Sequence, residues 1–246
     1  MNNKVNVLGV NIDNLTFSDT LKKAKLLIDT SEFDMIFTPN PEIIMHAYKD
    51  EEFKGILNSA SICTADGIGV VKAAAMLKTP LPERVAGFDL ATSIIEYSAE
   101  VGKSIFLFGA APNVAETAAI KLTEKYSNLK IAGIRDGYFK DEETPKIVEQ
   151  INNSNADILF VCLGAPKQEK WIYANCDKLN VKLALGLGGA LDVFAGVAKR
   201  APKIFIKLNL EWFYRLLKNP SRIGRFMALP KFINIVKRNI KNGDTK

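Results

Sequence analysis

The chain has 246 residues, 48% of them hydrophobic, which is enough to bury a full core and excludes a disordered protein. Its net charge of +6 is unevenly placed: residues 197–246 hold 13 Lys and Arg against Glu211 and Asp244, a surplus of +11, while residues 1–196 stand at −5. A basic tail on an acidic body points to a polyanionic partner for the tail. Three cysteines, Cys63, Cys162 and Cys176, have the paired spacing of neither a disulfide framework nor a zinc site, which fits a reducing compartment. The apolar alternation in residues 1–10 is too brief for a signal-peptide core. No uninterrupted apolar run approaches the roughly 18 residues needed to cross a bilayer, so membrane contact is expected to be peripheral.

In chain order, β-rich runs are expected at residues 5–10, 35–37, 62–64, 104–108, 130–134, 158–163 and 182–187. Helical patterns lie between them. Thr16 with Asp19 reads as a capping pair opening a helix through residue 27, and residues 114–126 repeat Ala and Leu at helical spacing. This alternation predicts an α/β fold, a Rossmann-like parallel sheet flanked by helices, over residues 1–196, with a basic helical C-terminal appendage over residues 197–246.

In such sheets ligands bind where strands end and helices begin, because helix amides there favour anions. Five exits carry polar or glycine-rich sequences: TPNPE after Phe37, ADGIG after Thr64, GAAPN after Phe108, GAPKQE after Leu163 and GGALD after Leu187. In TPNPE, Pro39 and Pro41 stiffen the backbone while Thr38 and Asn40 project polar groups. That suits either a binding loop or a helix N-cap. Asp66 at a strand end is a candidate general base, or an N-cap for the helix that follows it. Arg84 could fork onto a diphosphate or simply face water. Gln168 could bond a sugar or phosphate, or face water on its first helical turn. Asp192, beyond Gly188 and Gly189, could accept ribose hydroxyls or serve as a cap. Gly109, Gly188 and Gly189 complete the candidate substrate-binding set.

Several chemistries lose support. His46, the only histidine, falls inside the helical run EIIMHAYKD and reads as a helix-face residue rather than part of a nucleophilic triad. There is no metal-ligand spacing, no Asp-x-Asp pair, no G-x-G-x-x-G and no P-loop. No cofactor or metal is therefore expected.

Taken in order, TPNPE, ADGIGV, PERVAGFDL, LFGAAPNVAETAA, LGAPKQEKWI, GLGGALDVFAG, KRAP and LEWFYRLLKNPSR resemble the bacterial WecG/TagA/CpsF family, glycosyltransferase family 26, over residues 5–225. The resemblance implies a hexosyltransferase of wall teichoic acid linkage-unit synthesis. It would move N-acetylmannosamine from its UDP donor to the 4-hydroxyl of N-acetylglucosamine on undecaprenyl diphosphate, with inversion to a β linkage. By the same resemblance Asp66 is the general base and Thr38 its neighbour. Asn40, Arg84 and Gln168 line the sugar pocket, and Asp192 lies near the nucleotide. Arg215, Arg222 and Arg225 match basic positions of the appendage and would approach the diphosphates of donor or acceptor. Two rivals remain: a relative transferring another sugar, such as N-acetylmannosaminuronic acid or glucose, and a non-catalytic nucleotide-binding module.

Within the tail, Ile204, Phe205, Leu208, Trp212 and Leu216 are spaced for one helical face, with Lys203, Lys207 and Arg215 supplying charge. This pattern suits the headgroup region of an anionic bilayer, and so a cytoplasmic protein peripheral on the inner face of the cell membrane. Packing on the body or on a second copy of the chain is the alternative. Nucleic acid is not expected, because the aromatics follow one helical face instead of spreading as stacking platforms.

Overall fold

The computed structural model describes residues 4–29, 33–208, 210–218 and 227–242. The strands are β1 (Lys4–Val7), β2 (Val10–Asp13), β3 (Asp34–Phe37), β4 (Ile62–Cys63), β5 (Ser104–Gly109), β6 (Lys130–Arg135), β7 (Ile158–Cys162) and β8 (Leu183–Gly186). The helices in the body are α1 (Phe17–Asp29), α2 (Pro41–Ala47), α3 (Glu51–Asn58), α4 (Ile68–Met76), α5 (Gly87–Val101), α6 (Val114–Lys125), α7 (Thr144–Asn153), α8 (Lys167–Ala174) and α9 (Ala190–Phe194). After them come α10 (Lys203–Lys207), α11 (Glu211–Lys218) and α12 (Ala228–Asn242).

Six strands form one sheet in the order β4-β3-β8-β7-β5-β6, with every neighbouring pair parallel. Because side chains alternate along each strand, the sheet feeds two cores. Phe37, Phe106, Phe108, Leu159 and Val161 join one, with residues of α2, α3, α4, α7 and α8. Ile36, Ile105, Leu107, Ile158 and Phe160 join the other, with residues of α1, α5, α6 and α9. The Thr16 cap forms as its sequence predicts: the Asp19 amide donates to Thr16 Oγ1 at 3.1 Å, and that hydroxyl donates to Asp19 Oδ2 at 2.7 Å. His46 is exposed on α2, as a helix-face residue should be.

The first run departs from expectation. Residues 5–10 are not one strand of the parallel sheet but most of an antiparallel hairpin, β1 with β2. The chain reverses at Leu8 and Gly9, whose φ values of 54° and 88° lie in the left-handed region, favourable for glycine and costly for leucine. Val5, Val7, Val10 and Ile12 are all buried, because the two-residue turn brings the four to one face of the hairpin, whereas a single strand would send Val5 and Val7 to one face and Val10 and Ile12 to the other.

Residues 203–217 also differ from the single amphipathic helix that their spacing suggests. Leu210 N–H donates to the Phe205 carbonyl at 2.7 Å, closing α10 before α11 starts. On α10, α11 and the residues between them Ile204, Leu208, Phe213 and Leu217 are consequently exposed, whereas Phe205, Trp212 and Leu216 are half-buried. Further on, α12 inserts Phe232 and Val236, both fully buried, into the core on the α2 and α4 side of the sheet. Gly69 permits that packing: a Cβ on it would fall 2.5 Å from Leu229 Cδ1 and 2.7 Å from Pro41 Cγ.

Candidate active site

Because all six strands are parallel, their C-terminal ends share one edge, and the five polar loops meet there. Asp66 follows β4. Its backbone N–H donates to Pro39 O at 3.1 Å, which fastens it beside the loop holding Thr38 and Asn40. The N-cap of α4 is Gly67, one residue beyond it. Asp66 Oδ2 accepts from Gly87 N at 3.2 Å, the first residue of α5. The positive end of a different helix therefore holds the carboxylate at the strand edge.

Gly87 also explains the position of Thr38. A Cβ at Gly87 would lie 2.5 Å from Thr38 Oγ1, so only glycine lets the hydroxyl and the helix start approach so closely. Thr38 and Asp66 thus converge on one residue that sequence reasoning did not single out. The flanking GF in PERVAGFDL was its only local signal.

Arg84 is neither a solvated surface residue nor remote from Asp66. Val85 N–H donates to Ala65 O at 3.0 Å, tying the Arg84 loop to the Asp66 loop. Its Nη1 lies 3.4 Å from Glu211 Oε2 on α11 and its Nη2 3.9 Å from Asp89 Oδ2 on α5. Asp89 is shared with Arg200, a second residue the sequence reading missed, whose Nη2 lies 2.6 Å from Asp89 Oδ1 and 2.8 Å from Oδ2. The Arg200 guanidinium also lies over the Phe88 ring, 4.7 Å from its centroid.

Asn40 is the N-cap of α2, its Oδ1 accepting from Ile43 N at 3.0 Å, with Pro41 in the first helical turn. Gln168 is buried and does not face water. Its Oε1 accepts from Gly188 N at 2.8 Å and its Nε2 donates to Glu169 Oε1 at 2.8 Å, joining the start of α8 to the glycine loop after β8. Glu169 is buried as well, and burial pushes its carboxyl above the ordinary range. Its Oε2 has no hydrogen-bond partner among the described residues.

Gly109 has φ 128° and lies so close to Cys162 O that any side chain would collide with that carbonyl, bringing the exits of β5 and β7 together. Gly189 is the N-cap of α9, and Asp192 sits half-buried in that helix's first turn. Burial pushes the Cys162 thiol up to about 12 and the Cys63 thiol upward too, so neither is a thiolate nucleophile. Arg215 lies on α11, but its side chain, together with Arg222 and Arg225, falls outside the described residues. Among the described residues no three His, Cys, Asp or Glu side chains group as a metal site would.

At the C-terminal edge of the parallel sheet a carboxylate and a hydroxyl meet at the start of α5, with two arginines sharing Asp89 beside them, and such edges are where α/β folds bind ligands. The family comparison agrees: the model of the glycosyl transferase WecG/TagA/CpsF family matches residues 5–245, and the chain belongs to that family. It is a glycosyltransferase. Among similar proteins is the N-acetylglucosaminyldiphosphoundecaprenol N-acetyl-beta-D-mannosaminyltransferase of Bacillus subtilis strain 168, 39% identical over 240 residues, covering 98% of this chain and 92% of the relative. A protein of the same name from Staphylococcus aureus strain MRSA252 is 39% identical over 243 residues, with 97% and 95% covered. Another, from Bacillus spizizenii, is 38% identical over 209 residues, with 85% and 80% covered.

Proposed function

We propose that this chain transfers N-acetylmannosamine from UDP-N-acetylmannosamine to the 4-hydroxyl of N-acetylglucosamine on undecaprenyl diphosphate, in wall teichoic acid linkage-unit synthesis. The relatives' names support the donor sugar and acceptor. The observation that carries the chemistry is Asp66, held by Gly87 N–H beside Thr38 at the sheet edge. In the step proposed, Asp66 takes the proton of the acceptor hydroxyl as that oxygen bonds to the anomeric carbon. The bond from that carbon to the UDP oxygen breaks, and its electron pair leaves on the diphosphate. One displacement inverts the anomeric centre without a covalent enzyme intermediate. Arg84 offsets the developing phosphate charge, and Gln168, Asn40 and Asp192 shape the pocket. Metal independence is part of the proposal.

The lipid acceptor requires that the crevice meet a bilayer. No helix among the described residues is long and apolar enough to cross one. The exposed Ile204, Leu208, Phe213 and Leu217, with the +11 tail, support peripheral docking on the anionic inner face. Each cation near such a surface adds roughly 1 kcal/mol. Pairing of two chains through the same apolar residues is the competing use, separable by light scattering with and without detergent.

The deciding experiment is transfer to a short-chain lipid-diphosphate N-acetylglucosamine in EDTA, with a panel of UDP-sugars and UDP release as the readout. Turnover specific to UDP-N-acetylmannosamine is expected. Preference for another donor overturns the sugar assignment, and failure of every donor until a divalent ion is restored overturns metal independence. Binding of UDP with no turnover under any condition would favour a non-catalytic module.

A further inference from the structure

We propose that Arg200 is a binding residue for the donor diphosphate, acting with Arg84 across Asp89; this rests on the UDP-sugar reading above. Its place in the fold comes first. Phe194, two residues past Asp192, stacks on Phe88 with ring centroids 4.7 Å apart, and Phe88 adjoins Gly87, which holds Asp66. This aromatic pair bridges the glycine-rich segment, where the nucleoside is expected, and the carboxylate where the sugar reacts. A nucleoside diphosphate sugar laid from one to the other places its diphosphate along that bridge. Arg200 stands on it, stacked over Phe88 and bonded to Asp89.

The second argument is charge and donor count. A guanidinium has five N–H donors in a fixed fork that matches phosphate oxygens. Asp89 engages Arg200 only through Nη2, and Arg200 Nε is buried with no hydrogen-bond partner among the described residues. Asp89 also lies 3.9 Å from Arg84 Nη2, a longer contact than the 3.4 Å from Arg84 Nη1 to Glu211 Oε2, so Asp89 is divided between two guanidinium groups and holds Arg84 only loosely. A diphosphate has the charge and the number of acceptor oxygens to serve both, and Asp89 then acts as its competitor. The same two arginines would stabilise the charge that gathers on UDP as the glycosidic bond breaks.

This assigns opposite signs to two substitutions that a purely structural ion pair would affect alike. Calorimetric titration of UDP and UMP into the full chain, its Arg200→Gln, Arg200→Lys and Asp89→Asn variants provides the test, with a thermal melt of each. Loss of a charge-assisted fork should weaken UDP about tenfold or more in Arg200→Gln while changing UMP far less. Arg200→Lys should recover part of the loss. Asp89→Asn should bind UDP as tightly as the parent chain or more tightly. Unchanged UDP binding in Arg200→Gln, an equal loss for UDP and UMP, or a loss in Asp89→Asn matching that in Arg200→Gln overturns the assignment. A parent chain that binds no uridine nucleotide overturns the donor reading itself, and this inference falls with it.

Discussion

Asp66 Oδ2 accepts a hydrogen bond from Gly87 N at 3.2 Å, so the carboxylate of one strand exit is fixed by the first residue of a helix that begins 21 residues later. The contact leaves a clear route to separating chemistry from architecture. Asparagine at position 66 retains an acceptor for the Gly87 amide but cannot take a proton. Asp66→Asn should therefore lower transfer by roughly 10²–10⁴-fold while keeping UDP affinity and thermal stability near the parent values. Unchanged single-turnover transfer would remove Asp66 from the mechanism.

Gly87 should tolerate no side chain while Thr38 is present. Gly87→Ala forces a methyl to 2.5 Å from Thr38 Oγ1, and overpacking of this kind costs about 1–3 kcal/mol. Denaturant melts should show that loss, and adding Thr38→Ala should restore most of the stability without restoring transfer. Equal stability of Gly87→Ala and its parent would show that the Thr38 contact is loose.

Glu169 gives a pH signature. Burial raises its pKa above the ordinary 4.5, so the folded chain binds more protons than the unfolded chain from that value upward. Its contribution to stability is present below 4.5 and falls as pH rises through the folded-state pKa. Glu169→Gln keeps an acceptor for Gln168 Nε2 and removes the titration. As pH rises above 4.5 the variant's denaturation midpoint should decline less than the parent's. Parallel curves for the two proteins would contradict a buried, proton-binding Glu169.

The last helix should matter for stability as well as for any role at a membrane. Phe232 is fully buried in the core beneath α2 and α4, and truncating such a phenylalanine to alanine costs about 3–5 kcal/mol. Deleting residues after 196 would remove this packing together with the basic charges, so a truncation cannot isolate membrane docking. Phe232→Ala should lower the midpoint of unfolding strongly; a shift below 1 °C would mean that α12 detaches readily.

Surface substitutions isolate docking instead. Leu208 and Leu217 are 61% and 59% exposed, so Leu208→Ser with Leu217→Ser should leave the melt unchanged. Flotation with anionic vesicles should drop several-fold. Undiminished flotation would assign docking to other residues or to charge alone.

The strand-exit pattern was legible because parallel sheets put polar residues at one edge and apolar ones within. Thr38, Asp66 and Gln168 stood out on that basis, and the motif string identified the family. The hairpin left a signal that went unread: Val5 and Val7 have opposite parity to Val10 and Ile12, so one long strand would split them between its faces, and the turn at Leu8 and Gly9 reunites them. The tail pattern likewise did not show that α10 closes at Lys207 or that α12 completes a core.

The sequence by itself determined the chemical inventory: one carboxylate at the β4 exit, a hydroxyl at the β3 exit, a basic tail and no nucleophilic histidine triad. Those follow from residue type and local spacing. Tertiary structure decided which groups meet. Asp66 reaches Gly87 across 21 residues, Arg200 reaches Asp89 across 111, and Arg84 reaches Glu211 across 127. Local patterning contains no signal for such pairs, because their geometry is set by how the helices pack on the sheet. The same packing set the Asp66 carboxylate, at the exit of β4, against the start of a distant helix.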